Sequence, residues 1–361
     1  MQDIEGVERK VHMVVEFKRI ISEPVILNPM NEFQEETQPV DVRFDPLTGV
    51  RRRFNIALTK KAKMFHQPTD QNSIKMLVEK TAEGCFFCPQ NLEKATPKFP
   101  PDILPEGRFR RGDSWVFPNL FQAFEVSGVG VIGKDHFLRT DQFSPEIFKN
   151  FFTMIIDFFR AVHSRRPEFK YATFGMNYLP PAGSSLLHPH NMVLMDRNPF
   201  PHLDSMTKES RAYLDRKSKN FWQDLIETEK QLGERYIGKT GSVEWMAAFS
   251  PIAANEFLGI VPGKSNFLEY DDNDLDGIAE GFARILFFYK NDLEVDPFNY
   301  IVYSGPLGEN SDSFWSHVRI STRPNLTGNY VSDIPLAPLY LGDNFFNNPP
   351  EYLASRLKEC F

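Results

Sequence analysis

The sequence predicts an α+β protein made from two copies of one strand–turn–helix unit, and three observations carry that prediction. Residues 115–162 contain, in order, Trp115, Pro118, Glu125, an apolar strand, Gly133-Lys134, Phe137-Leu138, Asp141 and a phenylalanine-rich helix. Residues 245–290 repeat the series as Trp245, Pro251, Glu256, an apolar strand, Gly263-Lys264, Phe267-Leu268, Asp271 and a second such helix. The offset of about 130 residues is too long for a solenoid and points to a duplicated domain. The length agrees: 361 residues suit two domains of roughly 100–200 residues or one large duplicated unit. So does the composition, since 41% hydrophobic and 25% charged residues allow a sizeable core and disfavour disorder.

The elements follow in order. Residues 1–40 are mixed, end in the polar, acidic stretch Asn31 to Gln38, and read as a surface appendage. Asp45-Pro46 and Thr48-Gly49 have turn chemistry. Arg51 to Leu58 then ends in Phe54, Ile56 and Leu58, the alternation of a strand. A proline-rich loop, Pro97 to Pro105, follows Cys85 and Cys88. Ser144-Pro145-Glu146 opens a helix with an N-cap serine, proline at the first position and an acid in the first turn. Phe148, Phe151, Phe152, Ile155, Ile156 and Phe159 continue it at helical spacing. A long polar helix, about Ser205 to Leu232, connects the halves. In the second half Asp274 caps a helix bearing Ile278, Phe282, Ile285, Leu286 and Tyr289. The expected organisation is an appendage (1–40), a first half (41–204), a connecting helix (205–240) and a second half (241–361).

Charge and cysteine content narrow the function. A net charge of −7 argues against a nucleic-acid coat, whose footprint is a basic excess. No apolar run approaches the ~20 residues of a membrane span, and Met1-Gln2-Asp3-Ile4-Glu5 lacks the start of a signal peptide. The expectation is a cytoplasmic protein with no membrane or nucleic-acid partner. Three cysteines are too few for a disulfide framework.

Two constellations carry chemistry. Cys85-Phe86-Phe87-Cys88 places two thiols where they can grip a tetrahedral metal, although the spacing also serves redox sites and ordinary buried thiols. A thioredoxin-like motif would open a helix after a strand, and Pro89 with the loop expected after it speaks against that. The second constellation is Ser184-Ser185-Leu186-Leu187-His188-Pro189-His190, after Gly183 and before the apolar run Met192 to Met195. On an extended segment His188 and His190 project to the same side. One buried histidine is usually a core residue; two on one strand face beside a Gly/Ser turn mark a metal or catalytic site.

Taken together, Cys85-x-x-Cys88, Phe117-Pro118-Asn119-Leu120-Phe121, Lys134-Asp135-His136 and Gly183-Ser184-Ser185-x-x-His188-Pro189-His190 resemble the galactose-1-phosphate uridylyltransferase branch of the histidine-triad superfamily. Arg43 to Gly49 matches that branch's opening motif, and the resemblance spans roughly residues 42 to 357. It implies a duplicated histidine-triad-like fold, with antiparallel sheets and packed helices and the two halves forming one body. It implies one structural zinc on Cys85, Cys88, His136 and His188, and His190 as nucleophile in a nucleotidyl transfer through a covalent intermediate. Ser185 and Asn177 match positions that hold the phosphates, Phe86 and Asn119 positions that line the nucleoside pocket, and Lys61 a basic phosphate contact. The implied partners are a nucleoside-diphosphate compound (a UDP-sugar or an adenylyl donor) and a phosphate-bearing acceptor. Exposed aromatics are compatible with a homodimer, as in relatives.

The sequence also departs from the pattern. Met192 stands where the branch has a glutamine whose amide holds the transferred phosphoryl group, and a thioether cannot donate that bond. His317-Val318-Arg319 replaces a second His-x-His, and Ser304 replaces another histidine, so a second metal site is not expected and Arg319 becomes a candidate anion contact. Ala337-Pro338-Leu339 occupies the place of a segment that binds hexose hydroxyls. These departures keep three readings open: hexose-1-phosphate uridylyl transfer, adenylyl transfer to phosphate (an ADP-forming sulfate adenylyltransferase or an ADP-sugar phosphorylase), and a non-catalytic nucleotide-binding protein.

Overall fold

The two repeats fold into the same succession of elements. The computed structural model describes residues 14–55, 57, 67–327, 332, 334 and 336–361. It begins with β1 (Arg19–Ser22), β2 (Val25–Asn28), β3 (Gln34–Thr37), β4 (Val40–Phe44) and β5 (Arg51–Asn55). Helices α1 (Gln71–Ala82) and α2 (Pro89–Ala95) flank the cysteine pair. The first repeat runs through β6 (Phe109–Arg111), β7 (Ser114–Pro118), β8 (Val126–Val131), α3 (Pro145–Arg165), β9 (Tyr171–Tyr178) and β10 (His190–Asp196). A hairpin of α4 (Pro201–Lys217) and α5 (Phe221–Leu232) follows. The second repeat is β11 (Tyr236–Thr240), β12 (Val243–Ala247), β13 (Phe257–Ile260), α6 (Asp272–Asn291), β14 (Phe298–Tyr303) and β15 (His317–Thr322). β16 (Asn344–Phe346) and α7 (Pro350–Leu357) come last.

Among the described residues, ten strands form one sheet in the order β11-β12-β13-β15-β14-β9-β10-β8-β7-β6. From the centre outward the order is the same on both sides, and every pairing is antiparallel. The seam is β9 against β14, with Asn177 opposite Asn299. The expected α+β duplication is therefore a single continuous sheet. Register moves one anchor of the repeat: Val116 faces Gly130 as Trp245 faces Gly259, so Trp115 matches Glu244 and not Trp245.

The side-chain period of 2 sorts the sheet into two faces. On one, α3 and α6 bury Phe148, Phe152, Phe159, Phe282, Phe174 and Tyr300 in a continuous core. Phe148, Phe152 and Tyr300 surround Phe282 with ring centroids 4.7–5.7 Å apart, within the range where edge and tilted contacts add to area burial. This layer accounts for much of the phenylalanine excess. Ser144 caps α3 by accepting from Ile147 N at 3.3 Å, as the sequence predicts.

Four expectations are corrected. The connecting helix is two helices, broken where Ser218 takes a left-handed conformation (φ 52°) and Asn220 caps α5 by accepting from Trp222 and Gln223. α5 is amphipathic, burying Phe221, Trp222, Leu225 and Ile226. The cap of α6 is Asp271; Asp274 sits at the third position, where its carboxylate accepts from Asp271 N. Pro89 starts the short helix α2, with Cys88 at its N-cap, where a loop was expected. Finally, part of the segment 1–40 is structural: β1 joins β4, β5 and β16 in a second sheet, and Val15 is buried under α5. That sheet is tied down by buried Arg43 and Arg235, which share the Glu351 carboxylate at 2.9 Å each.

Candidate active site and metal centre

The other face of the large sheet is divided into three parts. Over β7 and β8, the Cys85–Cys88 loop packs Phe87 and Leu92 against Phe117, Val129 and Val131. Over β12, β13 and β15, the α4–α5 hairpin packs Trp222, Leu225 and Met206 against Met246, Leu258 and Ile260. Between them the centre stays open: Met192 on β10 is 45% exposed. Gly175 lies next to it, where an added Cβ would come within 2.4 Å of the Tyr300 carbonyl oxygen. This open floor is where a substrate can reach the sheet.

The four residues implied for a metal meet. The ligand atoms of Cys85, Cys88, His136 and His188 all lie within 4.8 Å of one another. Cys88 Sγ is 3.5 Å from His136 Nδ1 and 3.7 Å from His188 Nδ1. A tetrahedral zinc with ordinary Zn–S and Zn–N bonds has S···N edges of about 3.6 Å. The outer nitrogens are engaged: His136 Nε2 faces Thr81 Oγ1 at 3.0 Å, and that hydroxyl donates to Leu77 O at 2.6 Å, so it must accept from the ring. His188 Nε2 faces Gly133 O at 3.4 Å. Both rings are thereby set with Nδ1 free to ligate, the outer-shell arrangement typical of metal-bound histidines. Burial lowers the pKa of both, that of His188 to about 4, with smaller contributions from His136 and His190, so they are neutral as ligands must be.

His190 opens β10 beside this cluster. Its Nδ1 lies 2.8 Å from the His188 carbonyl oxygen, so Nδ1 carries the proton and Nε2 keeps its lone pair. Burial lowers its pKa, opposed by that backbone hydrogen bond. Phe87 packs edge-on against the ring at 5.2 Å. Asn191 points the other way, fully buried among the helix-side residues, so its amide cannot stand in for the missing glutamine at Met192.

Asn177 is held by a relay from the second half. Arg323, which can only donate, gives Nη1–H to Asn299 Oδ1 at 3.0 Å. Asn299 must then present Nδ2 to Asn177 Oδ1, at 2.7 Å. The remaining group on Asn177 is its Nδ2 donor, which lies under the Gly183 turn. Gly183 has φ 96°, a conformation other residues rarely adopt, and Ser185 stands exposed just after it. Asn299 and Arg323 were missed in the sequence because only strand pairing brings them to Asn177.

The remaining candidates fall in different places. Phe86 projects from the metal loop, 57% exposed. Asn119 follows β7, where its Oδ1 accepts from Phe121 N at 3.1 Å. Lys61 lies outside the described residues. Arg319 is not at the open floor: Met192, Gly175, Ile301 and Arg319 line up across four adjacent strands, which puts it about 14 Å away at ~4.8 Å per strand. There it is ion-paired with Glu256. Ala337, Pro338 and Leu339 belong to an exposed π-helical turn.

No family profile matches the chain. An uncharacterized protein of Archaeoglobus fulgidus is 30% identical over 329 residues, covering 90% of this chain and 94% of that protein. The chain belongs to the same family. Its fold is shared with solved structures of an ADP-glucose phosphorylase, a GalT-like protein and a uridylyltransferase. An ADP-glucose phosphorylase from Arabidopsis thaliana, solved with bound ADP-glucose, superposes with a TM-score of 0.66 at 18% identity over 89% of this chain and 98% of that one. A GalT-like protein from the same plant gives 0.64 at 16% identity, over 88% and 98%. A uridylyltransferase gives 0.61 at 18% identity, over 70% and 85%. Among the described residues, no helix is long and apolar enough to cross a membrane.

Proposed function

We propose that the chain is a nucleotidyltransferase acting through His190. The observation that carries this reading is the fixed tautomer of His190, with a neutral Nε2 beside an open sheet floor. In the first step Nε2 attacks the α-phosphorus of a nucleoside-diphosphate compound, the bond from that phosphorus to the bridging oxygen breaks, and the distal phosphate ester leaves. The Nδ1–H bond to the His188 carbonyl stabilises the positive charge that develops on the ring. In the second step an acceptor phosphate oxygen attacks the same phosphorus, the P–N bond breaks, and neutral His190 returns. Two displacements give ping-pong kinetics and retention at phosphorus.

In this reading Asn177 Nδ2 and the Ser185 hydroxyl donate to the phosphates, while Phe86 and Asn119 border the nucleoside. A zinc ion held by Cys85, Cys88, His136 and His188 would be structural, since four protein ligands close its shell. The ligand set would fix the metal loop and, through His188, the strand that presents His190. Adenylyl transfer is a second reading, supported by the likeness to the ADP-glucose-bound phosphorylase; the apolar Ala337-Pro338-Leu339, which lacks paired acceptors for a hexose, favours within it a donor without a sugar, such as adenylylsulfate. Incubation with α-32P-labelled UDP-glucose, ADP-glucose and adenylylsulfate separates the donors. An acid-labile protein label lost in His190→Ala is expected from at least one of them; no label from any would contradict the proposal.

A further inference from the structure

β1 and β2 continue each other along one β-ribbon, as do β3 and β4. Ser22 lies opposite Val40 and, three residues on, Val25 lies opposite Thr37, so the register runs unbroken past Pro24 and Pro39. Gln38 N donates to Pro24 O at 2.9 Å across the join. Only the β1–β4 half continues into β5 and β16; the β2–β3 half is a two-stranded sheet that runs past their end. Val25 and Leu27 face one side of it and Ile26 the other. All three are nevertheless 41–61% exposed, and Met30 and Phe33 near its tip are more so. A lone hairpin is marginal in water, and contiguous exposed apolar surface marks a contact site.

A second apolar patch lies at the opposite end of the four-stranded sheet. The ribbon leaves that sheet beside Asn55, the partner of Val40 at the end of β5. Gly342 stands at the other end, where β5 and β16 begin and where its carbonyl accepts from Arg52 Nη1 at 2.9 Å. Asp343 N donates to Ala337 O at 3.3 Å, which holds the preceding turn there. Val50, Leu336, Leu339, Tyr340 and Leu341 are 43–77% exposed at this end. The ribbon points away from it, so it cannot reach the patch of its own chain. The charges are complementary. Residues 23–38 carry Glu23, Glu32, Glu35 and Glu36 and no lysine or arginine. Beside the patch, the partly exposed Arg51 and Arg53 share the single Asp343 carboxylate.

We propose that the ribbon is the arm of a two-fold dimer, in which the β2–β3 tip of each copy seats on the Leu336–Leu341 turn of the other. A two-fold axis running across the sheet reverses the strand direction. It brings the ribbon end of one copy to the turn end of the second, and both contacts form together. At roughly 100 Å² exposed per apolar residue, the two patches hold about 1,000 Å² per copy, and the pair of contacts buries about 2,000 Å², the size of a stable interface. The dimer is independent of the chemistry proposed for His190.

Sedimentation velocity of the full-length protein should show a dimer at micromolar concentration. Leu27→Glu with Met30→Glu in the ribbon, or Leu339→Glu with Leu341→Glu in the turn, should each weaken it by about 100-fold or more. All four side chains are exposed, so the fold should be retained by circular dichroism. The two variants share one intact ribbon–turn contact, so their mixture should associate where neither does alone. A second measurement leaves the interface undisturbed. In a Cys360→Ser background, Met30→Cys and Tyr340→Cys chains mixed with a short bismaleimide should give a covalent dimer that neither gives alone. A monomer up to about 100 µM, a dimer unaffected by either variant, or a mixture that neither associates nor cross-links beyond its components would overturn the proposal.

Discussion

His190 and His317 occupy matching places in the two halves and have opposite surroundings. Each begins the equivalent strand, β10 or β15, and each lies opposite the last residue of the equivalent neighbouring strand, Val131 of β8 or Ile260 of β13. Each ring sets its Nδ1 on the carbonyl of the residue two before it, at 2.8 Å for His188 O and 3.0 Å for Trp315 O. The tautomer is thus a property of the strand start, present in both copies. What differs is the space above. His190 stands next to an open floor, whereas Trp222 stacks on His317 at 4.2 Å and 25°. Burial, followed by the charge of Arg319, pushes the His317 pKa down to about 3. On the proposed mechanism, the covering element and not the tautomer decides which copy can meet a substrate.

That comparison can be broken most forcefully by removing each histidine in turn. His190→Ala should lower turnover by on the order of 10⁴-fold or more, as loss of a nucleophile does, while His317→Ala should lose stability and keep kcat. Equal effects on kcat would end the distinction. Next in size, Cys88→Ser should lose bound metal and lower Tm by several degrees, because metal binding at such a site is folding free energy. Metal analysis alongside thermal melting checks both together.

A third test exploits the residues two places further on, Met192 and Arg319. Met192→Gln should raise kcat by about 10–100-fold, since one donor to a developing anion is worth ~10²–10³. Arg319→Gln should leave kcat unchanged and cost about 3–5 kcal/mol by stranding Glu256, measured by denaturant unfolding. A smaller effect is expected at the seam: Asn299→Ala frees the Asn177 amide and should lower kcat/KM by about tenfold, the worth of one hydrogen bond near a charge. The smallest concerns pH. Burial disfavours the His190 imidazolium, so the neutral nucleophile persists to lower pH, and the acid limb of kcat/KM should fall below the ordinary histidine value near 6.5.

Legibility in the sequence followed the range of the interactions. His188 and His190 were readable because two histidines within three residues beside a Gly/Ser turn mark a site, although only His190 lies on β10 and His188 sits in the bend before it. His136, 52 or fewer residues from its partner ligands, carried no local signal and entered only through resemblance. Asn299 and Arg323 were invisible, since the contact to Asn177 crosses 122 residues of chain and depends on strand order. The α4–α5 break was hidden because Ser218 adopts the left-handed turn without glycine or proline. Arg319 was misplaced for a related reason: it lies on β15, the counterpart of β10, and only the sheet order shows how far that counterpart lies from the open floor.

The most direct measurement is peptide mapping by mass spectrometry of protein quenched at high pH after reaction with a nucleoside-diphosphate donor. The account predicts one nucleotidyl group on the peptide bearing His190 and none on the peptide bearing His317. Modification of His317, or turnover with neither peptide modified, would contradict it.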